Sequence, residues 1–120
     1  VWEALHTMAK HNIGAVLVVN DGEMVGIFSE RDYARRVELK GLETKSTRIS
    51  DVMTSKFVSI SPSTTMDDCM QIMTEHRVRH LPVIAENNEI LGLVSIGDVV
   101  SEMISAQRDV ISQLKQYIAG

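Results

Sequence analysis

Apolar residues recur at helical spacing near the start of the chain and again in its second half. The positions that share one helix face are Trp2, Leu5, Met8 and Ala9 in the first stretch, and Met66, Cys69, Met70 and Met73 in the second. Apolar residues three and four positions apart are typical of an amphipathic helix that buries one side. The sequence therefore predicts two such helices, with the methionines of the second in the core and Thr64 as its N-cap.

Two apolar runs around a polar turn follow each of these helices. The runs are residues 15–19 and 24–28 in the first half, and residues 80–85 and 89–94 in the second. The first turn is Asn20-Asp21-Gly22, which is typical of a β-hairpin, and the second is Glu86-Asn87-Asn88. The sequence predicts two hairpins, and we expect a sheet edge at Pro82 because proline cannot donate to a ladder.

A Ser-x-x-Asp sequence follows each hairpin, with Ser29 and Asp32 in the first half and Ser95 and Asp98 in the second. Serine at the N-cap with an acid three residues later is a common start of a helix. We expect the first of these helices to run to about Leu39 and the second to continue to about Tyr117.

The last predicted helix carries a long apolar stripe. Its members are Val99, Val100, Met103, Ile104, Val110, Ile111, Leu114 and Ile118. An apolar helix face needs a surface to cover. The surface that this face covers could belong to the chain's own first half or to a second chain, and both alternatives stay open.

The two halves of the chain align with each other. Residues 4–20 match residues 69–85, and residues 23–37 match residues 89–103 after an insertion in the second turn. The sequence thus predicts a duplicated unit. The predicted parts are a first repeat over residues 1–47, a second over residues 48–103 and a helical extension over residues 104–120. A short helix, 49–53, and a strand, 57–60, open the second repeat. Since the first repeat has no counterpart of that strand, we expect its site to be incomplete.

The composition argues against several classes of protein. The formal net charge of −4 argues against a binder of nucleic acid or of an anionic membrane surface. The single cysteine, Cys69, cannot form an intramolecular disulfide, and we expect it to be buried. No apolar run is long enough to span a membrane and no secretory leader is visible, so we expect a cytoplasmic protein.

The sequence contains none of the catalytic or metal-binding spacings that we sought. The four histidines have no zinc-site spacing, and no phosphate-binding loop or nucleophile elbow is present. We expect neither a metal site nor an active site, and hence no enzyme and no catalytic cofactor.

The repeated order of helix, two strands, Ser-x-x-Asp and helix resembles the cystathionine β-synthase-type (CBS) domain, and two in tandem resemble a Bateman module. The matching stretches are residues 12–37, 50–73 and 77–103. The resemblance implies an α+β fold of two pseudo-symmetric repeats packed sheet to sheet, each with a small three-stranded sheet and two helices. It also implies clefts that hold adenine nucleotides such as AMP, ATP or NAD, and pairing into a homodimer.

The resemblance assigns roles to the two Ser-x-x-Asp sequences. Asp32 and Asp98 would accept hydrogen bonds from ribose hydroxyls, while Ser29 and Ser95 would meet a phosphate or cap a helix. Arg31 would add phosphate charge in the first copy, where the second has glycine. The simpler interpretation, helix capping without a ligand, stays open for both copies.

Further candidate residues come from the second repeat. In the resemblance to the CBS domain, a segment that lines the cleft is matched by Arg79, His80 and Pro82. Positions of that domain that contact base and phosphate are matched by Lys56, Val58 and Ile60. Each charged residue has an ordinary alternative, since Arg79 and Lys56 could be surface cations and His80 a hairpin residue.

Two functions from different classes follow. The first is a regulatory module that senses an adenine nucleotide and signals to an unidentified effector protein through conformation or assembly. The second is a structural dimerisation module that binds no nucleotide.

Overall fold

The computed structural model describes the backbone of residues 1–119 and the side chains of residues 1–107. The chain divides into two compact units, Val1–Val58 and Ser59–Gly120. The first unit contains helix α1 (Trp2–His11), strands β1 (Ala15–Asn20) and β2 (Glu23–Ser29), helix α2 (Glu30–Asp32), a π-helix (Tyr33–Glu38) and helix α3 (Ile49–Val52). The second contains helix α4 (Met66–His76), strands β3 (His80–Ile84) and β4 (Ile90–Ser95) and helix α5 (Ile96–Ala119). The repeat bounds at 47 and 103 stay a prediction.

The two hairpins have the same construction, which confirms the duplication. Ala15 pairs with Ser29 in the first antiparallel ladder, and His80 pairs with Ser95 in the second. A bulge interrupts the first ladder after Val18 and the second after Val83, at matching positions. The first turn has positive φ at both central residues, as a type I′ turn requires.

The expected third strand is reduced to a single bridge in each unit. Ile60 pairs in parallel with Val83, and the rest of the predicted strand 57–60 is irregular. Pairing does not continue past Ile60, because the backbone N–H of Ser61 donates to the Thr64 hydroxyl at 3.1 Å and Pro62 has no N–H. In the first unit, Thr54 forms an antiparallel bridge with Ile27.

The N-cap of α4 is Thr65, so the prediction of Thr64 was wrong. The Thr65 hydroxyl accepts from the backbone N–H of Asp68 at 3.1 Å. Thr64 is engaged with Ser61 instead, which shifts the helix start by one residue.

Each unit has its own core. Met8, Phe28, Val37 and Val52 form the first, and the buried apolar residues of the second are Ile60, Cys69, Met73, Leu81 and Val99. Met66 and Trp2 were expected on buried faces but are exposed. Trp2 lies instead in a surface cluster, where its ring is tilted by 39° against that of His6 with 3.8 Å between the ring centroids, and the Lys45 ammonium lies 5.5 Å from the Trp2 ring centroid. Ala9 is also exposed, since α1 turns Ala4, Leu5 and Met8 toward the core.

The helix after the first junction runs from Glu30 to Glu38, close to the predicted end, but most of it has π pitch. The N–H of Leu39 donates to the carbonyl of Ala34, five residues back, at 3.0 Å. Gly41, with φ of 67°, follows this helical end.

α5 extends slightly beyond the predicted end. Of its apolar stripe, Val99 is buried and Met103 half-buried, while Val100 and Ile104 are exposed. The stripe members whose side chains lie outside the described residues are Val110, Ile111, Leu114 and Ile118. Within the described part of the chain, no helix combines the length and the apolar character that a membrane crossing needs.

Candidate functional site

The junction between β4 and α5 forms a capping box on the surface of the second unit. The backbone N–H of Ser95 donates to Asp98 Oδ2 at 2.9 Å, and the backbone N–H of Asp98 donates to Ser95 Oγ at 3.1 Å. The backbone N–H of Ile96 donates to the carbonyl of Arg79 at 2.8 Å, which ties the start of α5 to the residue before β3. The junction therefore presents an exposed carboxylate at the amino-terminal end of a long helix.

The surroundings of Asp98 favour its charged form. Hydrogen bonds from the backbone and the side chain of Ser95 lower the pKa of Asp98 below 3.8, and the charge of His80 lowers it further. His80 is half-buried and faces Ser95 across the hairpin, while Arg79 is exposed beside it. The structure thus brings four predicted site residues together in the second unit: Arg79, His80, Ser95 and Asp98.

The first junction has the same local geometry. Both the backbone N–H and the hydroxyl of Ser29 donate to Asp32 Oδ2, at 3.0 Å and 3.1 Å. The backbone N–H of Asp32 donates back to Ser29 Oγ at 3.2 Å, and that of Glu30 donates to the carbonyl of Gly14 at 3.0 Å. Arg31 is exposed on the first turn. Both serines are therefore N-caps, as the sequence predicted.

The first junction differs from the second in its long-range contacts. The hydroxyl of Thr54 donates to Asp32 Oδ1 at 3.2 Å, and Arg36 Nε lies 3.8 Å from the same oxygen. Arg36 also donates to the carbonyl oxygens of Val52 and Met53, at 3.3 Å and 2.9 Å. These contacts leave the Asp32 side chain only 13% exposed.

Sequence reasoning missed Thr54 and Arg36. Arg36 stands four residues after Asp32 in a predicted helix, a spacing at which opposite charges meet, so a local signal existed. Thr54 is distant in sequence, and no local pattern connects it with Asp32.

The remaining predicted residues have varied surroundings. Lys56 is exposed and Val58 half-buried in the first unit, while Ile60 and Pro82 are buried in the second. The backbone N–H of Ile60 donates to the carbonyl of Pro82 at 2.9 Å. Their assignment to a ligand, like that of the junction residues, stays a prediction.

An open cavity of about 260 Å³ lies in the first unit, between α1, residues 12–14 and Glu30. It contains none of the predicted site residues. Since ligand pockets usually measure about 300–1,000 Å³, this cavity is a poor candidate for a nucleotide site.

The chain is similar to known proteins along most of its length. The sequence profile of the CBS domain matches residues 1–39 and 49–105. The mitochondrial CBS domain-containing protein CBSX3 of Arabidopsis thaliana is 41% identical over 125 aligned residues, which cover 100% of this chain and 60% of that protein. The chain thus spans less than two thirds of that relative.

Solved structures share the fold. A protein with CBS domains from Burkholderia ambifaria MC40-6 has 47% identity and a TM-score of 0.84, over 89% of this chain and 78% of that one. CBSX2, solved in complex with AMP, has 24% identity and a TM-score of 0.71, over 88% of this chain and 82% of that one, and shares the fold alone. The matched regions, one in each half of the chain, show that the chain belongs to the CBS domain family.

Proposed function

We propose that this chain is a regulatory module that binds an adenosyl ligand and signals its occupancy through a change in conformation or assembly. The observation that carries the proposal is the Ser95–Asp98 junction, where an exposed, ionised carboxylate stands beside a histidine and an arginine. Membership of the CBS domain family supports it, as does the complex of CBSX2, a protein of the same fold, with AMP.

The chemistry of the junction matches that of a nucleoside phosphate. The carboxylate of Asp98 can accept hydrogen bonds from a ribose diol, and such charge-assisted bonds contribute about 1.5–3 kcal/mol each. The hydroxyl of Ser95 and the amino-terminal end of α5 suit a phosphate, and Arg79 supplies positive charge nearby. AMP, ATP and NAD all present these groups.

Signalling follows from a difference in affinity. A ligand shifts an equilibrium between two arrangements only as far as it binds one of them more tightly. On this proposal the module has no catalytic role of its own and acts on an effector, within a homodimer.

Calorimetric titration with AMP, ATP and NAD tests the proposal. We expect Asp98→Ala to weaken binding by about tenfold or more, because one charge-assisted bond exceeds 1.4 kcal/mol. Asp67→Ala is the matched control, since Asp67 is an exposed acid in the first turn of α4 in the same unit. Equal affinity in wild type and Asp98→Ala would refute the assignment of this junction.

A second candidate function is assembly without a nucleotide. Ile96, Val100 and Ile104 are 37%, 40% and 44% exposed and lie four residues apart on α5, an apolar face that suits a partner chain. Thermal melting with millimolar AMP separates the two functions, because a ligand that binds only the folded state must raise Tm. No shift with any adenine compound, together with a dimer in sedimentation, would favour assembly.

A further inference from the structure

We infer that Asp32 holds residues 52–54 against the first junction, an arrangement that we call the latch, and that Asp32 is thereby withdrawn from ligand binding. The two Ser-x-x-Asp sequences would then have different roles despite their common origin. The part of this inference that concerns ligand binding rests on the proposed function, whereas the contacts between Asp32 and residues 52–54 do not.

Most of the hydrogen-bonding capacity of the Asp32 carboxylate is already used, since it accepts three hydrogen bonds. A carboxylate offers about four acceptor positions on two oxygens. Oδ2 accepts two hydrogen bonds from Ser29, and Oδ1 accepts one from Thr54 and pairs with Arg36. A ribose diol would have to displace Thr54 or Arg36 from a side chain that is 13% exposed.

The latched segment is held at several points. The N–H and carbonyl of Thr54 are both bonded to Ile27, at 2.8 Å and 2.9 Å. Arg36 links the same segment to the helix by donating to Val52 and Met53 while it pairs with Asp32. These backbone contacts fix Thr54 beside β2 and keep its hydroxyl within reach of Asp32.

The second copy lacks this arrangement in its sequence. Arg36 aligns with Glu102, an exposed acid that cannot pair with the Asp98 carboxylate and would repel it. Gly26, which Met53 and Thr54 approach closely, aligns with Gly92, where a Cβ would meet nothing within 4 Å. The latch is thus specific to the first copy.

The test compares Asp32→Asn with Asp98→Asn, using AMP as the probe in calorimetry and thermal melting as the stability readout. Asparagine preserves the shape of each side chain and removes its charge. We expect Asp32→Asn to lower Tm by about 3–6 °C, the shift that a loss of roughly 1 kcal/mol produces at this size, and to leave the AMP affinity within about twofold of wild type. We expect Asp98→Asn to weaken AMP binding and to lower Tm less. Wild type should bind one AMP per chain.

Thr54→Val provides a milder variant, because it removes the hydroxyl and keeps the backbone bridge. If Thr54 and Asp32 act together, the double variant will lose less Tm than the sum of the two single losses. Additive losses would overturn the latch. So would an Asp32→Asn variant that weakens AMP binding as strongly as Asp98→Asn does, or two AMP molecules per wild-type chain.

The experiments distinguish a failure of the proposed function from a failure of the latch. A wild-type protein that binds no adenine compound would refute the proposed function, and the melting series would then decide the latch alone. A wild-type protein that binds AMP with additive melting losses would refute the latch and leave the proposed function standing.

Discussion

Replacement of Gly26 by alanine is expected to destabilise the first unit because another segment already occupies the space for a methyl group. A Cβ at position 26 would lie 2.5 Å from Met53 Sδ and 3.0 Å from the carbonyl oxygen of Thr54. The methionine side chain is flexible and can move away. The Thr54 carbonyl is held by a 2.9 Å hydrogen bond from the N–H of Ile27, and cannot move without breaking it.

The expected magnitude follows from these two contacts. An extra methyl group in a packed site costs about 1–3 kcal/mol, and loss of the Thr54–Ile27 bond would add about 0.5–1.5 kcal/mol. If Met53 absorbs the contact by rotation, the loss stays near the lower end of the first range. We therefore expect Gly26→Ala to reduce the free energy of unfolding by about 1–4 kcal/mol, near the lower end if only Met53 moves and near the upper end if the Thr54–Ile27 bond is also lost.

Gly92→Ala is the matched control. Gly92 occupies the same position in the second hairpin, opposite Val83 as Gly26 is opposite Val18, and its Cβ would meet nothing within 4 Å. Replacing glycine where alanine fits stabilises a protein by about 0.4–1 kcal/mol, through the entropy of the unfolded chain. The control should thus be neutral or slightly stabilised.

Urea unfolding followed by circular dichroism measures both changes. A lower midpoint at an unchanged slope for Gly26→Ala, beside an unchanged or higher midpoint for Gly92→Ala, is the expected pair of results. Equal midpoints for the two variants would contradict the close approach of Met53 and Thr54 to β2.

Three further predictions concern the second unit. Leu81 is fully buried and Leu91 is 51% exposed. In urea unfolding, Leu81→Ala should therefore reduce the free energy of unfolding by about 2–5 kcal/mol and Leu91→Ala by less than about 0.5 kcal/mol. Similar losses in the two variants would contradict the burial of Leu81. Burial raises the pKa of the Cys69 thiol, as does the charge of the neighbouring Asp68. Iodoacetamide should therefore alkylate Cys69 at least about tenfold more slowly in the native protein than in urea. Equal rates would place the thiol at the surface. Hydrogen bonds from Ser95 lower the pKa of Asp98, so its contribution to stability is present above pH 3.8 and is lost as the pH falls through the lower folded-state value. Asp98→Asn should therefore lose less Tm than wild type on acidification from about pH 5 to about pH 2.5, and an equal loss would contradict this coupling.

The sequence predicted the hairpins and the two capping boxes well because their causes are local. The turn at Asp21 and Gly22 follows from residues that tolerate positive φ, and the serine caps follow from a spacing of three residues. Duplication strengthened each prediction, because the same pattern occurred twice.

The features that the sequence did not predict have no signal in the local pattern of apolar residues. The strand expected over 57–60 has the right apolar residues, yet of these only Ile60 is paired, with Val83 of β3. The π pitch of Tyr33–Glu38 has no signal in the apolar spacing, since π and α helices both permit a buried Val37. The exposed position of Trp2 likewise depends on His6 and on Lys45 from the loop between the repeats.

The same distinction explains why a matching motif does not imply a matching function. Ser29 and Asp32 are held by bonds that Ser95 and Asp98 repeat almost atom for atom, so local geometry cannot distinguish the two junctions. The difference lies in what reaches each carboxylate from outside the motif. A threonine hydroxyl and a guanidinium meet Asp32, whereas Asp98 lies exposed beside His80. On the proposal that Asp32 is withdrawn from ligand binding, a duplicated site changes its role without any change to the motif that identifies it, through differences outside the motif such as Arg36, which is Glu102 in the second copy.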